Sequence, residues 1–578
     1  MANSPRLTLP YLVAGQAQKE ITHNDALNDL DSLAQISVIN RTTATPPAAP
    51  TDGDSYIVAA SPTGAWAGNA NAVATYYSGW RIKPAKAGWV AYVQAEGIFY
   101  VFDGSAWAAQ SPATSKIMAA IPSALTASYN FENASFQLYD ASPYAAVATC
   151  SLTPEQVFDA YSTARSAPSV TYYVNSSIAS GAWAAGSDTN NGLSRAAPYA
   201  TLSKAITSIN TGGVAAKVYI YAGNVVRTSG FGATSPTQDI AWIAESGRVV
   251  TGSFDAFGAP AVDATFTNTY SWARSNVNRV FDILRQDRFG KYIEMQMVGS
   301  AAICNRTPNS WYTDNVTLYV NRGDGAAVTN ANTRYFLAAT NSVFNGNGLT
   351  NQFFGCEDNG FSGFDFQGGG SCMTINSVSP SATRHVLVVR NSTMRYAGGR
   401  VDTGGRGVML ESFHGAAWFF SCDISHNISD GINLHNTNSA ALTAMITINC
   451  SGFENGAGPN VGQQSCNAWT SHENAVGVDV AGYYENNRGG SCSSIHTSKS
   501  FFAGTYVKND LGDGATGGTI RPTAFRTSNT AVYYCLRTKA DMPSGAYAYQ
   551  ADTGSTIYQR EAWLSRAASC GAGTITAY

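Results

Sequence analysis

Residues 408–448 read VMLESFHGAAWFFSCDISHNISDGINLHNTNSAALTAMITI, and this stretch decides the fold. Four apolar runs stand in it, at 408–410, 418–420, 431–434 and 445–448. Each is too short for a helix, and Gly, Asn, Asp or Ser brackets each one, as at a chain turn. Such runs cannot bury an apolar face alone, whereas runs stacked coil on coil share one continuous core. Comparable runs flank the stretch, at 218–221, 240–244 and 386–389 before it and 476–480 and 531–534 after it. Their spacing fits coils of ~20–25 residues. The fold class is therefore mainly β, with a long parallel β-helix over 169–578. Between about 268 and 340 the regularity breaks, and Trp311-Tyr312-Thr313-Asp314-Asn315 with Leu318-Tyr319-Val320-Asn321 reads as an inserted hairpin.

Composition agrees. Charged residues are 13% of the 578, about half the ~25% usual for soluble proteins, and Gly (55), Tyr (30) and Phe (25) are abundant. The net charge of −3 leaves no basic footprint, so no nucleic acid partner is expected. Nothing approaches ~18 consecutive apolar residues, so no membrane insertion is expected. Residues 1–15 lack the apolar core of a signal peptide, so release by host lysis is the expected route outward. Of ten cysteines, nine lie at or beyond Cys304, and no CxxC pair occurs. Both buried packing residues and disulfides formed after release are compatible with that pattern.

Residues 1–112 have a different texture. Thr22-His23-Asn24-Asp25 reads as a capping box for a helix over 23–36, with Leu27, Leu30, Leu33 and Ala34 on one face. Short aromatic β runs follow at 55–59, 74–82, 89–93 and 97–102. This is a small α+β unit. Residues 113–168 read as a neck, in which Thr153-Pro154-Glu155-Gln156 opens a second short helix.

Two resemblances attach to these segments. Ala14-Gly15-Gln16-Ala17-Gln18-Lys19-Glu20, Asp52-Gly53-Asp54-Ser55-Tyr56-Ile57-Val58, Gly64-Ala65-Trp66-Ala67-Gly68 and Val101-Phe102-Asp103-Gly104 resemble an N-terminal domain of uncharacterised biochemistry. That domain is common in tail-fibre proteins of phages, prophages and gene-transfer agents of Alphaproteobacteria. The resemblance implies attachment to other virion proteins through residues 1–112, a homotrimer, and a protein made in the host cytoplasm. Tyr172-Tyr173-Val174, then Gly186-Ser187-Asp188-Thr189-Asn190-Asn191-Gly192-Leu193 and the segment 198–206, resemble the opening coil of pectate-lyase-like right-handed parallel β-helices. A terminal cap is required there in any case, because an open solenoid end exposes unpaired amides and apolar core.

Most chemical motifs fail. Asp188-Thr189-Asn190-Asn191-Gly192 lacks the distal Glu of a calcium loop. His472-Glu473 is followed by Val476, so no zincin pair exists. No phosphate or dinucleotide fingerprint occurs, and no cofactor or metal is expected. Polar groups are densest over 422–513, where Asp423, His426, Asp430, His435, Glu454, Asn455, His472, Glu473, Asp479 and Glu485 fall within about four coils. Residues one coil apart stack ~4.8 Å apart, so Asp430, His435, Glu454, His472, Glu473, Asp479 and Glu485 form a candidate glycan-binding or hydrolytic cluster on one outer face. Paired carboxylates ~5–9.5 Å apart cleave glycosides, and Trp469, Tyr483, Tyr484, Phe501 and Phe502 supply rings for sugar stacking. The competing reading makes Asp and Asn corner residues bonded to backbone. The expected function is a tail fibre or tailspike-like protein binding bacterial surface polysaccharide. A polysaccharide depolymerase and a purely structural neck, collar or baseplate fibre are the alternatives.

Overall fold

The computed structural model describes residues 19–96, 98–109, 169–176, 182–221, 226–229, 231, 234–245, 247–252, 258–337, 342–347, 350–356, 363–376, 385–398, 405–437, 443–456, 466–508, 523–560, 562–564, 569–570 and 572–577. The expected neck at 113–168 lies outside the described residues, as do residues 14–18 of the N-terminal motif. The chain divides into two compact units, Met1–Pro112 and Ala113–Tyr578.

In the first unit, helix α1 spans Lys19–Leu33, so the cap expected at Thr22 is a correction. Lys19 and Glu20 are good helix formers and carry the helix a turn upstream. It stops before Gln35, whose φ of 73° is left-handed. The run expected at 74–82 is instead a hairpin of Val73–Tyr76 and Trp80–Lys83, turned at Ser78 with φ 51°. Two small sheets result, one of which pairs Ile36–Val38 with Val90–Val93. Val38, Val73, Ala91 and Val93 form its core. Carboxylates of α1 tie it to the hairpin, with Lys83 Nζ 2.7 Å from Asp29 and the Tyr77 hydroxyl donating to Asp31 at 2.8 Å.

The second unit is a parallel β-helix of three sheets, with twelve, ten and nine strands among the described residues. One coil runs through Gly415–Phe420 in the first sheet, Asp423–Ser425 in the second and Ile432–His435 in the third. The next repeats the order with Thr443–Ile448, Ser451–Phe453 and Trp469–Ser471. Register is kept from this coil to the next: Gly415 pairs with Thr443 and Phe420 with Ile448. Coil length is not kept. Val476 pairs with Lys499, near the expected step, but Lys499 pairs with Val532, well beyond it. The extra residues fall between Lys508 and Thr523, outside the described residues.

The first coil is closed by helix α2, Leu202–Gly212, capped by Thr201 and ended by Gly213 at φ 65°. Its buried Leu202, Ala205, Ile206 and Ile209 join the solenoid core. Asp188 accepts from the amides of Ala200 and Thr201 at 3.0 Å each, which fixes the preceding Asp/Asn turn to the helix entry.

Inside the solenoid, Phe354, Leu387, Phe419, Met445, Trp469, Phe502 and Tyr533 make one continuous core. Gly477 is required there, because an added Cβ would lie 1.9 Å from the Trp469 ring. One interior corner is held by an asparagine ladder. Asn427 donates to Asn455, and Asn455 to Asn487, each at 3.0 Å between side-chain amides. All three are buried, so each amide replaces water with the next coil's amide. The outward row of the twelve-stranded sheet is also apolar and buried, with Phe353, Val388, Trp418, Ile446, Val478 and Phe501. Eight cysteines of this unit, from Cys304 to Cys535, are buried.

An insertion interrupts the corner between Val249–Gly252 and Phe344–Asn347. It has its own antiparallel sheets, including the pair Ser310–Thr313 and Thr317–Asn321. Trp272, Met295, Trp311 and Leu318 form its core. Its long strand Val277–Gln286 pairs with Tyr292–Glu294, and Phe281 and Phe336 pack on Tyr396 of the solenoid.

Candidate functional site

The outer face of the ten-stranded sheet carries two neighbouring columns set by register. Ser451, Tyr483, Tyr506 and Lys539 form one, and Phe453, Glu485, Lys508 and Asp541 form the other. The strands alternate, so Tyr484 and Val507 between them point inward and are buried. Tyr483 and Tyr506 are half-buried and stack at 5.2 Å. Lys539 Nζ sits 4.2 Å above the Tyr506 ring.

The insertion lays a turn beside these columns. Asp287 accepts from the amides of Phe289 and Lys291, which curls 287–291 into an Asx turn. Phe289 stacks on Phe453, with centroids 4.4 Å apart and planes 9° apart. Arg288 Nη2 reaches Glu485 Oε1 at 3.0 Å, and Lys508 Nζ comes to 3.4 Å. Tyr483 also donates to Glu485. Burial works to raise Glu485, but Tyr483, Arg288 and Lys508 outweigh it and hold its carboxyl low. Burial and this carboxylate push the Tyr483 hydroxyl well up. At the adjoining corner, His426 Nε2 lies 2.6 Å from Asp287 Oδ2 and 3.5 Å from Glu454 Oε2.

A second polar group forms a ladder at another corner, where the nine-stranded sheet ends. His435 donates from Nδ1 to Glu411 at 2.6 Å, one coil back. Its Nε2 lies 3.0 Å from Glu473 Oε2. His496 Nδ1 stands 2.9 Å from Glu473 Oε1, and the His472 ring is 5.1 Å from that of His435. The bond to Glu411 raises His435 against the pull of burial. Burial, helped by His435, pushes His472 down to about 4.

The seven residues of the sequence cluster do not share one face, which corrects that expectation. Glu454 and Glu485 border the ten-stranded sheet, while His435, His472 and Glu473 stand at the other corner. Asp430 and Asp479 are buried. Asp430 accepts from the Asn467 amide at 2.7 Å and from Asn433 at 2.8 Å. Asp479 accepts from Thr447, Thr505 and Tyr484. Burial raises both carboxyls above their ordinary range. Of the rings expected to stack on sugar, Trp469, Tyr484, Phe501 and Phe502 are buried, leaving Tyr483. Asp287, Arg288, Phe289, Tyr506 and Lys508 were not singled out from sequence. The one local signal for the first three is the turn Asp287-Arg288-Phe289-Gly290, and nothing in it names what the turn touches. The described helices include none long and apolar enough to cross a membrane.

Residues 23–108 match a family model described as a protein of unknown function, DUF2793. No curated protein matches the chain. Among solved structures, the chain is similar to the tailspike gp61 of Pseudomonas phage phi297, at 9% identity and a TM-score of 0.22, over 64% of this chain and 68% of that one. The parallel β-helix is established by the strand registers, independently of that likeness.

Proposed function

We propose that this chain is a tail fibre or tailspike-like protein that binds a bacterial surface polysaccharide along the outer face of its ten-stranded sheet. The observation that carries the reading is the half-buried pair Tyr483 and Tyr506, flanked by Glu485, Lys508, Lys539 and exposed Arg288. Aromatic faces stack on the apolar faces of sugar rings, and fixed charges and amides beside them satisfy hydroxyls or acidic substituents. Attachment to the virion through residues 1–112, exposure after lysis and a homotrimeric state rest on the sequence resemblance. The direct test is saturable binding of surface polysaccharide by the full chain, weakened by Tyr506→Ala.

A second reading, depolymerisation, has one observation in its favour. Carboxylate oxygens of Asp287 and Glu454 come within 4.8 Å of each other beside His426, near the ~5–5.5 Å carboxyl separation of retaining glycosidases. It predicts shortened polysaccharide after incubation, abolished by Glu454→Gln with binding retained. Polysaccharide of unchanged length would leave the adhesive function alone.

A further inference from the structure

We propose that His435, His472 and Glu473 form a binding site for one late first-row divalent cation, with zinc the best match. The ligating atoms of these three side chains all lie within 4.8 Å of one another. A tetrahedral zinc with N and O ligands at ~2.0–2.2 Å needs its donors roughly 3.4 Å apart. The His435 Nε2 and Glu473 Oε2 atoms, at 3.0 Å, already lie close to that separation. The remaining closure is a side-chain adjustment of His472.

The sequence reading expected no metal, because the spacing after His472-Glu473 holds no second histidine on the same segment. The solenoid supplies it from the previous coil. Leu434 pairs with Ser471, so the residues that follow, His435 and His472, occupy equivalent corner positions. The two imidazoles face each other nearly at right angles, 88° between planes.

Two outer partners hold the donors in ligating orientation. Glu411 accepts a hydrogen bond from Nδ1 of His435, which turns Nε2 toward the cluster centre, as carboxylate–histidine pairs do at zinc sites. His496 holds Oε1 of Glu473, leaving Oε2 directed inward. That Oε2 is buried and has no hydrogen-bond partner among the described residues, although His435 Nε2 stands 3.0 Å away. A buried carboxylate oxygen lacking a donor is costly unless a cation or proton takes the place. Two nitrogen donors of three select a borderline cation over calcium or magnesium, which prefer oxygen.

The other His/carboxylate group, Asp287, His426 and Glu454, is a weaker candidate. There both carboxylates converge on the same nitrogen, His426 Nε2, and one of them belongs to the docked insertion. It serves as the internal control.

The test uses the full chain, stripped with EDTA and desalted, then titrated with Co²⁺ as an optical probe and back-titrated with Zn²⁺. The expected result is one Co²⁺ per chain at micromolar concentration, with visible d–d absorption that Zn²⁺ abolishes. His472→Ala and Glu473→Gln should each weaken uptake at least tenfold. Glu411→Gln should keep the stoichiometry and lower the affinity about tenfold, and His426→Asn should leave Co²⁺ uptake unchanged. Absence of stoichiometric uptake by the wild-type chain up to millimolar Co²⁺ overturns the proposal, whatever the variants do. Uptake lost in His426→Asn but kept in His472→Ala overturns it as well.

Discussion

Phe289 of the insertion and Phe453 of the solenoid stack face to face, 4.4 Å between centroids and 9° between planes. The contact joins residues far apart in the chain and fixes one wall of the aromatic strip that ends at Tyr506. Removing the ring as Phe289→Ala should weaken the docking of 287–291 by about 0.5–1.5 kcal/mol. The rest of the solenoid should be unaffected. Hydrogen exchange should rise in 282–292 and stay unchanged in 443–448. Equal loss in both segments would mean that the turn is part of the global fold.

The same turn should respond to acid. Burial acts to raise Asp287, but His426 and the amides of Lys291 and Phe289 outweigh it and hold its carboxyl below the ordinary value. A carboxyl held low contributes stability above its unfolded value, ~3.9, and loses it as pH falls through the lower folded value. Docking of 287–291 should therefore weaken below about pH 4. Asp287→Asn should be loose already at pH 7 and show a smaller pH response. Proteolysis at Arg285 and Arg288 across pH, compared between the two proteins, measures this, and identical profiles would contradict it.

Asp479 predicts the opposite sign. Burial raises its carboxyl despite three hydroxyl donors. Ionisation there destabilises the fold, by nothing below the unfolded value and fully above the raised folded one. Asp479→Asn should raise the melting temperature at pH 7–8, with the gain vanishing toward about pH 4. Asp479→Ala should instead cost ~1–3 kcal/mol, because it strands Thr447, Thr505 and Tyr484. A melting temperature for Asp479→Asn below wild type at pH 8 would remove the argument.

How much of this was legible in sequence follows from what each signal encodes. Short apolar runs between turn residues announced stacked coils, because every coil must bury its own inward face. Which residues of a run face inward was not legible. In Val476–Val480 the outward positions 476, 478 and 480 are as apolar as any core, so alternation gave no parity and Asp479 was placed outside. Asn455 fits the competing corner reading of Asp and Asn, since it is a rung of the buried ladder. The docking of Asp287 on His426 had no local signal, because the contact spans an insertion and two coils.

Gly477 tests the register directly. A methyl added there meets Trp469 across the core, so Gly477→Ala should destabilise the chain by ~1–3 kcal/mol, read as a lowered denaturation midpoint. Trp469→Phe should recover part of the loss by opening space at the ring edge. If Gly477→Ala is neutral, strand Val476–Val480 does not sit against Trp469 as described.

The measurement closest to the central claim is equilibrium binding of surface polysaccharide from a panel of bacterial hosts, by the full chain and by Tyr506→Ala. The account predicts saturable binding to at least one polysaccharide and affinity at least tenfold weaker in the variant, a difference of ~1.4 kcal/mol. Thermal stability should be nearly unchanged, because Tyr506 lies on the outer face. Binding of equal strength by both proteins, or no binding across the panel, would contradict a glycan site on the ten-stranded sheet.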